Sequence, residues 1–183
     1  VAENGETLTN SLDALKYNYD RGHRVFEIDT QITADNVMVL RHDWASDLGQ
    51  ADDFGWTEEN KPVPTLKQFL DAPIYDKYKP TTLLELYEFM AEKEDVYVVL
   101  DPKYSNDVEG QFSLIVDTAI ENGYEAVLDR VVVQIYYEEM YEKVEQIYSF
   151  KNYLYTLYYL GYSNTGKEER FCVENKIPVL VMP

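Results

Sequence analysis

Residues 24–44, RVFEIDTQITADNVMVLRHDW, decide how the chain is read. An acidic pair, Glu27 and Asp29, interrupts an apolar, β-branched run, and a second strand-like run at 37–40 leads to His42. Successive side chains of a strand point to opposite faces, so Glu27 and Asp29 share one face and Phe26 and Ile28 the other. Two carboxylates side by side on a half-buried surface are costly unless a positive charge neutralises them, and a divalent cation is the usual solution. Ala34, Asp35 and Asn36 make a turn between the two runs, which predicts a hairpin-like or offset strand pair at one end of a sheet.

Upstream, small polar residues precede Leu12, Leu15 and Tyr19 at helical spacing, predicting a helix over 11–20 that Arg21-Gly22 ends. Downstream, 43–61 is polar and glycine-punctuated, and reads as a long excursion beside the site rather than a core element. Thr65 with Gln68 and Thr82 with Glu85 fit the capping box, the second opening a helix over 83–93. A short apolar run at 96–100 then ends in Asp101-Pro102-Lys103. The alternation continues with helices over 108–122, 137–148 and 167–175 and strands over 130–136, 153–159 and 177–182. Six strands with interleaved helices predict a parallel sheet with helical crossovers, either an open doubly wound sheet or a (β/α)8 barrel.

The 183 residues, 45% of them hydrophobic, suit one domain with a substantial core. A formal net charge of −18 argues against a nucleic-acid or anionic-membrane surface, because phosphate contacts need clustered Lys and Arg. The single cysteine, Cys172, cannot form an internal disulfide, and it has no local partner that would mark a nucleophile. No apolar stretch approaches the roughly 20 residues of a transmembrane segment. Compartment and oligomeric state are left open. The chain starts on Val rather than Met, so an upstream segment is expected.

Both α/β architectures place their sites at the C-terminal ends of strands, where Asp29, His42, Asp101 and Lys103 are expected to fall. Three acids can bind a hard cation, a histidine can move a proton near neutral pH, and a lysine can stabilise an anionic oxygen. That combination suits phosphoryl chemistry. The 17 tyrosines, Tyr158, Tyr159 and Tyr162 among them, could stack on a sugar or hold a lipid headgroup, but half-buried strand positions are the better account of them.

The order Asn10-Ser11-Leu12-Asp13-Ala14-Leu15, Val25-Phe26-Glu27-Ile28-Asp29, Arg41-His42-Asp43 and Leu100-Asp101-Pro102-Lys103 resembles the signature of glycerophosphodiester phosphodiesterases. These share a barrel with phosphatidylinositol-specific phospholipases C. The resemblance implies a single-domain (β/α)8 TIM barrel across 1–183, incomplete at both ends, with the first and last strands absent. It implies Mg2+ or Ca2+ held by Glu27, Asp29 and Asp101, and Lys103 on a phosphate oxygen. His42 would be one of two acid/base histidines, and Gln134 would touch substrate. The implied substrate is a small-molecule glycerophosphodiester or phospholipid headgroup, cleaved through a cyclic phosphate when a neighbouring hydroxyl attacks.

The chain departs from that family pattern at several positions. No His-Arg-Gly-like motif supplies the second histidine, and His23 should lie at the opposite end of the acidic strand. Asp101 and Thr9 stand where many members carry Glu. An Asp-x-Lys version is similar to the spider-venom-type phospholipases D, so lysophospholipid or sphingolipid substrates remain an alternative. A glycosidase using the acid pair and a non-catalytic metal- or ligand-binding module are the rival readings.

Overall fold

The computed structural model describes residues 1–103, 107–158 and 166–182. The order of elements is α1 (Leu12–Asp20), β1 (Val25–Ile32), β2 (Met38–Leu40), α2 (Leu66–Asp71), α3 (Leu83–Glu92), β3 (Tyr97–Pro102), α4 (Val108–Glu121), a 3-10 turn (Glu125–Arg130), β4 (Val131–Ile135), α5 (Glu138–Ile147), β5 (Asn152–Thr156), α6 (Gly166–Glu174) and β6 (Val179–Val181). The strands form one α/β sheet in the order β2-β1-β3-β4-β5-β6. Five of them run parallel; β2 is antiparallel to β1. The sheet is open among the described residues and corresponds to part of a (β/α)8 barrel. The hairpin reading of 24–44 and the count of six strands are thus borne out: β2 is a three-residue arm folded back on β1 at one edge of the sheet, and the other five strands form the parallel series.

The helices cover one face of the sheet. Val98, Leu100, Val131, Val133 and Ile135 point into that buried core with Leu86, Tyr87 and Met90 of α3 and Phe112 and Ile115 of α4. Strand alternation then sends Glu27, Asp29, Asp101 and Gln134 to the opposite, uncovered face. Helix starts follow local chemistry. Ser11 accepts the Ala14 N–H at the head of α1, and Thr82 and Glu85 exchange the two hydrogen bonds of a capping box at the head of α3. Gly22, at φ 98, lets the chain leave α1 and enter β1 directly.

Residues 43–61 contain no regular element, as expected, yet they enclose a small second core. Trp44, Phe54 and Trp56 pack with Val39 and Phe69. At its centre lies Arg41, 1% exposed, whose guanidinium donates to the carbonyls of Asp43 (2.7 Å) and Ser46 (2.5 Å) and to Gln50 Oε1 (2.5 Å). Trp44, Phe54 and Trp56 surround it at 5.3, 5.8 and 5.8 Å. Burial pulls its pKa down to about 10 against the opposing pull of Asp43 and Asp47. Tyr159 and Tyr162 lie outside the described residues. No described helix is long and apolar enough to cross a membrane.

Lysine cannot reproduce three donations made by one planar fork. Arg41→Lys is therefore expected to lower stability by about 2–3 kcal/mol in urea denaturation, from the lost charged hydrogen bonds. Thr82→Ala should cost about 1 kcal/mol through the broken cap.

Candidate active site

Register brings the acids together. β1 and β3 pair with Asp29 directly opposite Asp101. Glu27 precedes Asp29 by one same-face step, and the three carboxylates each offer an oxygen within 4.8 Å of the others. Lys103 emerges just past the end of β3. Its ammonium lies 2.6 Å from Asp29 Oδ1 and also contacts Asp101 Oδ2. Burial works against the charge on Lys103, but the hydrogen bonds to Asp101 and Asp29 outweigh it and hold the pKa above the ordinary lysine value.

The remaining carboxylate oxygens have their own holders. Asn10 clamps Asp29, its Nδ2 donating to Oδ2 (3.0 Å) while its Oδ1 accepts the Asp29 backbone N–H (3.2 Å). Leu8 and Asn10 adopt left-handed φ of 59 and 42 to make this turn. That conformation is tolerated by asparagine and uncommon for leucine, a strain often kept beside functional sites. Tyr136 donates to Asp101 Oδ1 (2.6 Å) and accepts from Gln134 Nε2 (2.5 Å). Gln134 thus reaches the acids through a tyrosine.

The hairpin delivers His42. β2 returns alongside the end of β1, the Arg41 N–H bonds the Asp29 carbonyl (3.0 Å), and Gln31 Nε2 holds the His42 carbonyl (3.0 Å). Asp43 Oδ2 sits 2.5 Å from His42 Nδ1. That contact fixes the proton on Nδ1 and leaves Nε2 free to exchange one. Asp43 also accepts from the backbone of Ala45 and Ser46 and from the Ser46 hydroxyl. Although burial opposes it, the His42 and Ser46 hydrogen bonds draw its pKa down to about 2.

Glu27, Asp29, His42, Asp101, Lys103 and Gln134 all line one cleft of about 650 Å³, together with Leu8, Tyr136 and Tyr158. All six residues expected from sequence are therefore brought together. His23 is exposed in the turn before β1, at the strand's other end. Asn10 and Tyr136 were not foreseen as site residues. Asn10 stands in the quoted motif, so its position was a usable signal; Tyr136 had none, because its contact with Asp101 exists only across strands.

Comparison with solved structures places this fold. A protein from Galdieria sulphuraria assigned as a glycerophosphodiester phosphodiesterase matches 100% of this chain and 81% of its own, with a TM-score of 0.73 at 14% identity. The fold is shared with glycerophosphodiester phosphodiesterases. One from Parabacteroides distasonis matches 99% of this chain and 69% of its own (TM-score 0.68, 15% identity). An Oleispira antarctica phosphodiesterase solved with its product sn-glycerol-3-phosphate matches 99% and 72% (TM-score 0.67, 14% identity). No family model matches the sequence, and no curated protein does.

The donor set fits a hard divalent cation. All three donors are carboxylate oxygens, and the buried Asp29 Oδ1 has the Lys103 ammonium, at 2.6 Å, as its partner, a place a cation already takes. Three carboxylates against one ammonium leave surplus negative charge. Glu27 carries the consequence: desolvation, then the charges of Asp29 and Asp101, push its pKa up to about 7 against the opposing pull of Lys103. Much of the Glu27 side chain meets solvent, but the neighbouring charges give the same upward sign as burial.

A carboxyl whose folded pKa is raised favours the fold while protonated. That contribution is complete below about 4.5, the unfolded value, and is lost as pH rises through about 7. Metal-free protein should accordingly lose melting temperature across this window, whereas added Mg2+ or Ca2+ should flatten the loss. A pH series of thermal melts with and without chelator reads this directly, and Glu27→Gln should remove the slope.

Proposed function

We propose that the chain is a metal-dependent phosphodiesterase of the glycerophosphodiester phosphodiesterase family, acting on a glycerophosphodiester or related phospholipid headgroup. The observation that carries this reading is the convergence of Glu27, Asp29 and Asp101 with His42 and Lys103 on one cleft of a fold shared with such enzymes. Residues 1–183 belong to one catalytic barrel domain that is incomplete at both ends. Glu27, Asp29 and Asp101 would hold Mg2+ or Ca2+, which when bound polarises a phosphate oxygen.

Lys103, already oriented by two carboxylates, donates to a non-bridging phosphate oxygen and stabilises the charge that builds there. A neighbouring substrate hydroxyl attacks phosphorus, an O–P bond forms, and the bond to the departing alcohol breaks, leaving a cyclic phosphate that water can open. His42 Nε2 carries one of the two proton transfers this displacement needs, with Asp43 stabilising the imidazolium. Gln134, bound to Tyr136, keeps Asp101 in place and presents an amide edge to the substrate. One oxygen of each acid lies within 4.8 Å of the others, which suits ligands sharing one ion rather than the roughly 6.5–9.5 Å that separates the carboxyl groups of an inverting glycosidase.

Glu27→Ala and Asp101→Ala should each weaken divalent-cation binding at least about tenfold by calorimetry. His42→Ala should bind the cation normally and lose about 10²–10⁴-fold in turnover of glycerophosphodiesters, followed by release of glycerol phosphate. Full turnover in chelator, or in all three variants, contradicts the mechanism. Intact cation binding with no turnover by the wild type on any diester would instead favour a binding module.

A further inference from the structure

His42 and Lys103 border two clefts, not one. The second, of about 660 Å³, is lined also by Gln31, Asp43, Trp44, Ala45, Lys61 and Val63. A phosphodiester carries two alcohols on one phosphorus. A phosphate held at His42 and Lys103 therefore has a separate cleft for each ester arm, the acid-lined one and this one.

The second cleft has a different charge. Among its lining residues the one carboxylate is Asp43, hydrogen-bonded to His42 and Ser46, against the ammoniums of Lys61 and Lys103, whereas the first cleft holds Glu27, Asp29 and Asp101. Lys61 is fixed by donation to the Ala45 carbonyl (2.7 Å) and by the Trp56 ring at 5.4 Å, and among the described residues it pairs with no carboxylate. In a chain with 34 acidic residues against 16 Lys and Arg, this is a local positive lip. The aromatic rings here are already engaged: Trp44 faces Arg41 at 5.3 Å and packs edge-on to Phe69, and Trp56 carries both Lys61 and Arg41. Among the described residues, this wall therefore offers no aromatic cage for a quaternary ammonium, which needs free ring faces and no competing cation. Trp44 Nε1, a donor, and Gln31 Oε1, an acceptor, are instead buried without a hydrogen-bond partner. Such groups are rare in packed interiors and call for a water or ligand partner.

We propose that the second cleft is the subsite for the departing alcohol, and that it selects an arm bearing hydroxyls or negative charge over a quaternary ammonium. The assignment rests on the phosphodiesterase reading above. It is tested by comparing kcat/KM for glycerophosphoglycerol and glycerophosphocholine in the wild type, Lys61→Gln and Lys61→Glu. The wild type should favour glycerophosphoglycerol by about tenfold, and Lys61→Glu should erase or invert that ratio, mainly through KM, with Lys61→Gln in between. Lys61 is exposed, and circular dichroism checks that the variants fold. A lysine that merely supports the loop would lower both substrates alike. Turnover with a ratio within about twofold of the wild type in both variants overturns the subsite alone; no turnover of either diester by the wild type overturns the phosphodiesterase reading and the subsite with it.

Discussion

The ammonium of Lys103, lodged between Asp29 and Asp101, is the contact on which the site depends. The parallel register of β1 with β3 sets two carboxylates opposite each other, and same-face spacing adds a third. Like charges this close inside a partly dry cleft repel strongly. One cation makes the arrangement bearable without neutralising it. The surplus appears where the geometry leaves it, on Glu27, whose proton is held up to about pH 7. Asn10 and Tyr136 then fix the acids from either side, so the negative pole is rigid before anything binds.

A second constraint governs the other half of the site. His42 is not presented by a parallel strand end but by a hairpin arm folded back on β1, and that arm needs support of its own. Arg41, adjacent to His42, supplies it from beneath by tying three points of the following loop around a small aromatic core. The imidazole consequently stands on a ridge with open space on both sides. One side collects the acids and the other is rimmed by Lys61.

Much of this was legible because it is written in short-range chemistry. Strand alternation placed Glu27 and Asp29 on one face, the Thr82–Glu85 box opened α3, and Asp101 and Lys103 followed an apolar run that had to be a strand. The excursion at 43–61 was harder. Its composition is polar, and nothing local announces that Trp44, Phe54 and Trp56 gather around a buried guanidinium. The count of six strands held, because the turn at 34–36 announces locally that the short second run folds back against its neighbour.

By itself, then, the sequence determined the α/β rhythm, the acid pair, the histidine with its aspartate neighbour, and the lysine two residues after the third acid. These depend on backbone periodicity and on residues adjacent in the chain. Only the tertiary structure decided that Asp29 faces Asp101, that Asn10 and Tyr136 hold them, and that His42 lines two clefts. The reason is physical: register between strands, and which side chains meet across them, are set by packing of the whole sheet against its helices, and no local stretch carries that information.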